Sequence, residues 1–246
     1  MAGLPLDWHI GPFTFHLYGL GLALAALAAY EYARKRLASA DINLEPFAAW
    51  TGWVLVSGLL GARVAHVATN WSLYRHHPAN MLAVWNGGLA SFGGLALAIP
   101  VGLILLRRWW PGLDALAFTD ALIPALLVGW ALGRVLGPQF MVAGGGHRTN
   151  QWFGLHYQGQ IGKRVPVPLI QGFEDGLMAL AMARGPGWIR AKRGRVTGLA
   201  MIAWGIIRAL DERLLLGENS HSGSLGVQLA GLVLAAGGAA VLWRSR

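Results

Sequence analysis

Three arginines lie within long apolar runs of the chain: Arg63, Arg134 and Arg208. A guanidinium at membrane depth keeps its charge and is costly there unless it is paired or hydrated. Three cations at similar depth with few carboxylates nearby predict an anion site, and a phospholipid head group is the natural anion. The alternative is structural pairing, because Asp211 and Glu212 follow Arg208 on the same helix face.

Three other polar side chains lie inside predicted spans, towards the same face of the membrane. A lone tyrosine such as Tyr18 near a span end is usually an interfacial anchor. Gln171 and Glu174 have the spacing that places two side chains on one helix face. There they can orient a substrate hydroxyl or pair with an arginine, and the spacing favours the pairing.

A glycine-rich stretch, WNGGLASFGG, precedes the third apolar run. Its glycines disfavour a regular helix, and irregular backbone at a membrane edge persists only when it is buried or lines a cavity. The residues concerned are Asn86, Gly87, Gly88, Gly93 and Gly94. The stretch is therefore either a re-entrant binding loop or a place where glycines allow close helix packing.

The composition indicates a membrane protein. The chain is 55% hydrophobic and 13% charged, and apolar runs long enough to cross a bilayer recur along it. We expect an all-α, polytopic protein with about seven transmembrane helices. The predicted spans cover residues 13–33, 47–69, 88–106, 115–137, 168–183, 196–213 and 224–243. Because the first fourteen residues carry no Lys or Arg, we expect the first run to be a permanent span.

The distribution of Lys and Arg predicts the orientation. Of these 20 residues, three lie within spans, twelve lie in one set of alternate segments between the spans and five lie in the other set. We therefore expect a periplasmic N-terminus and a cytoplasmic C-terminus. This topology explains the net charge of +9 better than nucleic-acid binding does. We expect a single integral membrane domain over residues 1–246, with a small periplasmic head inserted at about 137–167.

The residue types present exclude or disfavour several other kinds of site. The absence of cysteine excludes disulfides, thiolate metal sites and a cysteine nucleophile within the chain. No histidine has metal-site spacing, so we expect no metal. The glycine triplet at 144–146 is only weak evidence for a phosphate cradle, since it lacks the flanking strand and helix of such loops.

Six segments, in order along nearly the whole chain, resemble the prolipoprotein diacylglyceryl transferase family of bacterial enzymes. They are IGPFTFHLYGLG, GARVAHV, VWNGGLASFGGL, DALIPALLVGWALGR, PLIQGFEDGL and GLAMIAWGIIRALDE. The resemblance implies transfer of a diacylglyceryl group from phosphatidylglycerol to the lipobox cysteine of a prolipoprotein, or to a related acceptor at the periplasmic face. It also implies a multi-pass protein of the bacterial inner membrane that uses no cofactor.

The resemblance also implies roles for individual residues. The residues implied in catalysis are Arg134, Arg208 and Tyr18. Those implied in substrate binding are Arg63, Asn86, Gly87, Gly88, Gly93, Gly94, Gln171, Glu174 and Glu212. The implied partners are phosphatidylglycerol, the prolipoprotein signal peptide with its lipobox cysteine, and the bilayer, with no nucleic acid.

The chain departs from the family pattern at positions that matter for chemistry. The position of the family's histidine is Phe92 here, and Asn86 stands in place of an acid. The tyrosine expected four residues before Arg208 is Trp204, whose ring can stack on the guanidinium.

These departures leave the base that deprotonates the thiol unassigned, with His66, Tyr18 and Glu174 as candidates. Two alternatives to an active transferase follow. One is a catalytically inactive relative that binds lipid or lipoprotein, which the changes at Phe92 and Trp204 motivate. The other is an anion or lipid transporter, which the intramembrane arginines motivate but the lack of an internal repeat disfavours.

Overall fold

The computed structural model describes residues 7–10, 13–76, 78–82, 90–140, 144–216 and 224–245. These residues form two compact units. The first unit comprises the described residues of Met1–Ala40 and Leu116–Arg246, and the second those of Asp41–Ala115. Helices dominate both units, which confirms the predicted all-α class.

The second unit contains α2 (Phe47–Thr69), the short α3 (Trp71–Tyr74), a 3-10 turn (Pro78–Met81) and α4 (Ser91–Trp109). The first unit begins with strands β1 (Asp7–Ile10) and β2 (Phe13–His16) and helix α1 (Leu17–Ser39). It resumes with α5 (Ala115–Leu136), a 3-10 turn (Pro138–Phe140), and strands β3 (Leu155–His156) and β4 (Lys163–Arg164). Its last elements are α6 (Val167–Arg184), α7 (Gly187–Arg190), α8 (Arg195–Asp211), a π-helical turn (Glu212–Leu216) and α9 (Ser224–Arg244).

Each of the seven predicted spans coincides with a helix of at least 17 residues in the described chain. The start of the first span was predicted wrongly at residue 13, because residues 13–16 pair with 7–10 as an antiparallel hairpin. The alternation of apolar and polar residues in FTFH has the period of a strand, and α1 begins only at Leu17.

Three of the described helical segments are long and apolar enough by themselves to cross a membrane: Phe47–Thr69, Ala115–Phe140 and Leu225–Arg244. They agree with the predicted membrane class. The number of crossings, their orientation and the single-domain organisation stay predictions.

The core of the first unit lies where α5, α6, α7 and α8 meet. Its buried side chains are Leu127, Met178, Ala179, Met182, Ile189, Val196 and Ala200. Two methionines fill the irregular space between helices that begin and end at different levels. This packing positions the inward faces of α6 and α8, from which the polar residues described below project.

Helices α8 and α9 touch backbone to backbone at glycines. A Cβ built on Gly231 would lie 2.5 Å from the carbonyl oxygen of Gly205, and one on Gly238 would lie 2.6 Å from that of Gly198. Both distances are too short for a methyl group. The two helices are therefore held at a separation that only glycine permits.

Gly205→Ala is expected to destabilise the protein by about 1–3 kcal/mol, because the new methyl group must push α9 away. Gly226→Ala is the matched control, since a Cβ on Gly226 in α9 meets nothing within 4 Å. Alanine favours the helix there by up to about 1 kcal/mol. Thermal unfolding in detergent measures both variants, and a shift of the same sign in both contradicts the packing argument.

The second unit is held together by the same kind of contact between α2 and α4. A Cβ on Gly93 would lie 2.5 Å from the carbonyl oxygen of Gly61, and one on Gly94 would lie 3.0 Å from that of Gly58. Glycines of α2 and α4 thus let the two helices approach closely. Gly93 and Gly94 thus pack as the helix-packing alternative predicts, and a binding role for them stays a prediction. Asn86, Gly87 and Gly88 lie outside the described residues.

Candidate functional site

Arg208 is buried in the first unit among three carboxylates. Its Nη2 donates a hydrogen bond to Asp175 Oδ1 at 3.2 Å and lies 3.6 Å from Glu174 Oε2. Its Nη1 lies 3.3 Å from Asp211 Oδ2. Asp175 is fully buried, whereas 29% of the Glu174 side chain is exposed. The predicted pairing of Arg208 with Asp211 is confirmed, and Arg208 is the arginine with which Glu174 pairs.

Two further side chains fix this cluster in place. Gln171 Nε2 donates to Asp211 Oδ2 at 3.0 Å, which joins α6 to α8. The guanidinium of Arg208 lies 5.6 Å from the ring centre of Trp204, so the predicted stacking is confirmed. Trp204 in turn meets Trp130 of α5 edge to face at 5.3 Å. The direction of Arg208 is therefore set from three helices.

A cavity of about 190 Å³ opens beside this cluster, within the first unit. Arg134 and Arg208 both line it, together with Pro138, Gly144, Val167, Pro168, Gln171, Glu212 and Val227. The structure thus brings together four of the predicted site residues: Arg134, Arg208, Gln171 and Glu212. Glu174 reaches the same place through its ion pair with Arg208.

The sequence predicts a similar depth for Arg134 and Arg208, and the two side chains line one cavity. Counting from the inner span ends placed Arg134 about 10 Å above Arg208. In the structure, Asp120 of α5 accepts hydrogen bonds from the backbone N–H groups of Gly194 and Thr197. The first turn of α8 therefore begins about 7 Å above the start of α5, which removes most of the difference.

Arg134 differs from Arg208 in its surroundings. It is half-buried and, within the described part of the chain, forms no hydrogen bond or salt bridge. Arg208 has three carboxylates within 4 Å and is electrically neutralised by them. Arg134 is therefore the cation at this cavity whose charge the neighbouring side chains leave available for an anion.

The other described site residues do not line this cavity. Tyr18 lies in the first turn of α1, is 37% exposed and is not part of the described lining of the cavity. Arg63 lies in the second unit, where its Nε and Nη2 donate to the carbonyl oxygens of Met81 and Asn80 at 2.8 and 2.6 Å. Its guanidinium also lies 5.3 Å from the ring centre of Tyr74. In the second unit, Arg63 thus anchors the turn after α3.

The head between α5 and α6 is tied together by side-chain amides. Gln160 donates to the carbonyl oxygen of Gly145 at 3.0 Å and accepts from its N–H at 2.8 Å. The N–H of Gly146 donates to Val165 at 2.9 Å. Because two N–H groups of the triplet are already engaged, residues 144–146 do not form a phosphate cradle, although Gly144 lines the cavity.

Tyr157 connects this head to the end of α5. Its side chain is buried and donates to Gln139 Oε1 at 2.7 Å. Burial raises the pKa of Tyr157 to about 12, because the charged phenolate is poorly solvated there. The neutral phenol, which is the donor, is thus the form that the fold favours.

The raised pKa of Tyr157 predicts a loss of stability between about pH 10 and pH 12. In that window the unfolded chain loses the phenolic proton while the folded chain retains it, so unfolding becomes more favourable as the pH rises. Ultraviolet titration of phenolate should show a late transition that Tyr157→Phe lacks. A titration curve identical in the two proteins would contradict the prediction.

Sequence reasoning missed Asp175 as a site residue. The signal was present, since an acid beside Glu174 in an apolar helix requires a partner. Which of two successive acids faces α8 depends on the rotation of α6, and both contact Arg208. The described residues contain no group of three or more His, Asp or Glu side chains arranged to hold a metal.

Comparison with known proteins gives one family. A family model described as prolipoprotein diacylglyceryl transferase matches residues 5–244. Relatives named phosphatidylglycerol–prolipoprotein diacylglyceryl transferase include one from Fervidobacterium nodosum, 38% identical over 129 residues (52% of this chain, 43% of the relative). One from Thermus thermophilus is 34% identical over 131 residues (51% and 44%), and one from Streptococcus equi subsp. zooepidemicus is 33% identical over 138 residues (53% and 49%). The chain spans about half the length of the curated relatives it matches.

Proposed function

Because this chain belongs to the prolipoprotein diacylglyceryl transferase family, we propose that it transfers a diacylglyceryl group from phosphatidylglycerol to a protein thiol. The proposed acceptor is the lipobox cysteine of prolipoproteins, or a related acceptor at the periplasmic face of the bacterial inner membrane. The observation that carries the proposal is the cavity with Arg134 on its wall, a cation without a protein acceptor in the described chain.

The reaction places its main electrostatic demand on the phosphate. The thiolate sulfur forms a bond to the glyceryl carbon, the bond from that carbon to the phosphate oxygen breaks, and glycerol phosphate leaves with the electron pair. Donors already aimed at the leaving phosphate lower the barrier, because no solvent has to reorganise. Arg134 supplies a full charge for this purpose, and its planar fork can bind two phosphate oxygens.

Arg208 has a different role in the proposal. With three carboxylates around it, it adds little net positive charge. Its buried Nε and Nη1 atoms have no hydrogen-bond acceptor among the described residues, so Arg208 still has donors for a phosphate oxygen at the cavity wall. We assign Arg208 to orienting the phosphate and Arg134 to stabilising its charge.

The thiol proton requires an acceptor, and the candidates now differ in position. Glu174 belongs to the cluster at the cavity, and Tyr18 belongs to the same unit. His66 lies in the second unit, where its ring meets Tyr74 edge to face at 5.9 Å. Glu174 is therefore the candidate whose contact with the Arg208 cluster supports it most directly, and Tyr18 and His66 stay candidates.

The test is incubation of purified protein with phosphatidylglycerol and a synthetic lipobox peptide, followed by mass spectrometry. A peptide adduct with the mass of a diacylglyceryl group is the expected product, together with glycerol phosphate in equal amount. Phosphatidylcholine and a peptide with serine in place of cysteine are the negative controls. Bound phosphatidylglycerol without any adduct would contradict the transferase proposal and favour an inactive, lipid-binding relative.

A further inference from the structure

A second and larger cavity lies at the other end of α5. Its volume is about 470 Å³, and it is lined by residues of α1, α5, α7 and α8. Asp120 lies on its wall, fourteen residues before Arg134, which corresponds to about 21 Å along the helix. The cavity is thus separate from the proposed transfer site and, in the predicted orientation, faces the cytoplasm.

The walls of this cavity carry three cationic side chains: Lys35, Arg36 and Arg190. Arg190 is fixed by two hydrogen bonds, from Nη1 to the carbonyl oxygen of Ala183 at 2.7 Å and from Nη2 to that of Gly185 at 3.2 Å. These acceptors are carbonyls, so the charge of Arg190 is not neutralised by them. It therefore contributes a fixed positive potential.

Arg36 is held in a way that leaves its outer donors available. Its Nε donates to the carbonyl oxygen of Ala121 at 2.8 Å, and its guanidinium lies 5.9 Å from the ring centre of Tyr32. Its two terminal nitrogens, and the ammonium group of Lys35, have no acceptor among the described residues. Two cations at this cavity thus have donors available for an anion.

The one acidic group on the wall does not serve as that anion. Asp120 Oδ1 accepts hydrogen bonds from the backbone N–H and the hydroxyl of Thr197, at 2.8 and 2.6 Å. Asp120 Oδ2 accepts from the N–H of Gly194 at 2.6 Å. Both carboxylate oxygens of Asp120 thus bind the first turn of α8. Three positive side chains and one negative side chain leave a net charge of about +2 at the cavity.

We propose that this cavity binds a phosphate group, separate from any phosphate bound at Arg134. The terminal nitrogens of Arg36 form a planar fork suited to two phosphate oxygens, and Lys35 adds a mobile charge beside it. Basic pockets between helix ends on the cytoplasmic side bind the head groups of anionic lipids. The two sources of the phosphate are therefore an anionic lipid of that leaflet and a soluble phosphate compound.

The test measures binding to the protein by native mass spectrometry, in the Arg134→Ala background, which weakens binding at the transfer site. Phosphatidylglycerol, phosphatidylcholine and inorganic phosphate are titrated separately. Lys35→Gln combined with Arg36→Gln is expected to weaken binding about tenfold or more. Lys35→Gln alone, which removes no bond within the protein, is expected to weaken it severalfold and guards against misfolding of the double variant.

Arg34→Gln is the matched control, because Arg34 adjoins the pair but is exposed and bonded to Glu31 at 3.1 Å. Lipid binding that Arg34→Gln leaves unchanged supports a phosphate site with a lipid ligand. Binding of inorganic phosphate with the same dependence on Lys35 and Arg36 supports a soluble ligand. Binding of neither, or equal losses in Arg34→Gln and the double variant, overturns the proposal.

Discussion

Replacement of Arg134 by alanine is expected to reduce diacylglyceryl transfer at least about a hundredfold while the protein remains folded. Arg134 lines the cavity of about 190 Å³ and, among the described residues, bonds to no protein group. Its removal therefore breaks no hydrogen bond or salt bridge among the described residues. It also removes a half-buried charge, so the temperature of unfolding should be unchanged or higher.

The measurement is the rate of adduct formation with phosphatidylglycerol and a lipobox peptide, together with thermal unfolding of the same sample. Arg184→Ala is the control, because Arg184 is an exposed arginine in the last turn of α6. It should retain the rate of the unaltered protein. Turnover by Arg134→Ala at a comparable rate would remove Arg134 from the mechanism and with it the main support for the cavity as the transfer site.

Replacement of Arg208 by alanine is expected to give the largest loss of stability, about 3–5 kcal/mol. The change leaves Glu174, Asp175 and Asp211 close together with no cation between them. Asp175 is fully buried and Asp211 nearly so, whereas Glu174 contributes less because 29% of its side chain is exposed to solvent.

Arg134→Ala is the internal comparison for Arg208→Ala, since both arginines line one cavity and only Arg208 has carboxylate partners. Unfolding by denaturing detergent should separate the two variants clearly. Combining Arg208→Ala with Asp175→Asn should recover part of the loss, because the amide removes one of the unpaired charges. Equal stability of the two single variants would mean that the Arg208 cluster is not a structural ion-pair network.

Helices α2, α5 and α9 were predictable from the sequence because each is a membrane-length apolar run. Helix α2 agrees with its predicted span at both ends. Depth along the helices was less predictable. Counting residues from a helix end gives the depth of a side chain only when the helices begin at the same depth. The hydrogen bonds from the first turn of α8 to Asp120 place the start of α8 at a different depth from the start of α5. That difference depends on a contact between residues more than seventy positions apart, which no local pattern contains.

The residue types of the candidate site were predictable from the sequence, but the partner of each side chain was less predictable. The placement of Gln171 and Glu174 on one face of α6 follows from helix spacing, and the stacking of Trp204 on Arg208 follows from its place one turn earlier. The partners of Arg63 could not be found in this way. They are backbone carbonyls of a 3-10 turn, and sequence reasoning about ion pairs looks only for acidic side chains.

The ion pairs between α6 and α8 bear on how the chain enters the membrane during synthesis. α6 carries two acids and is not among the three described segments that are apolar enough to insert alone. Its countercharge, Arg208, emerges later on α8. We therefore expect the translocon to hold α6 until α8 has been made and to release the two helices into lipid together, after Arg208 has paired with the acids of α6.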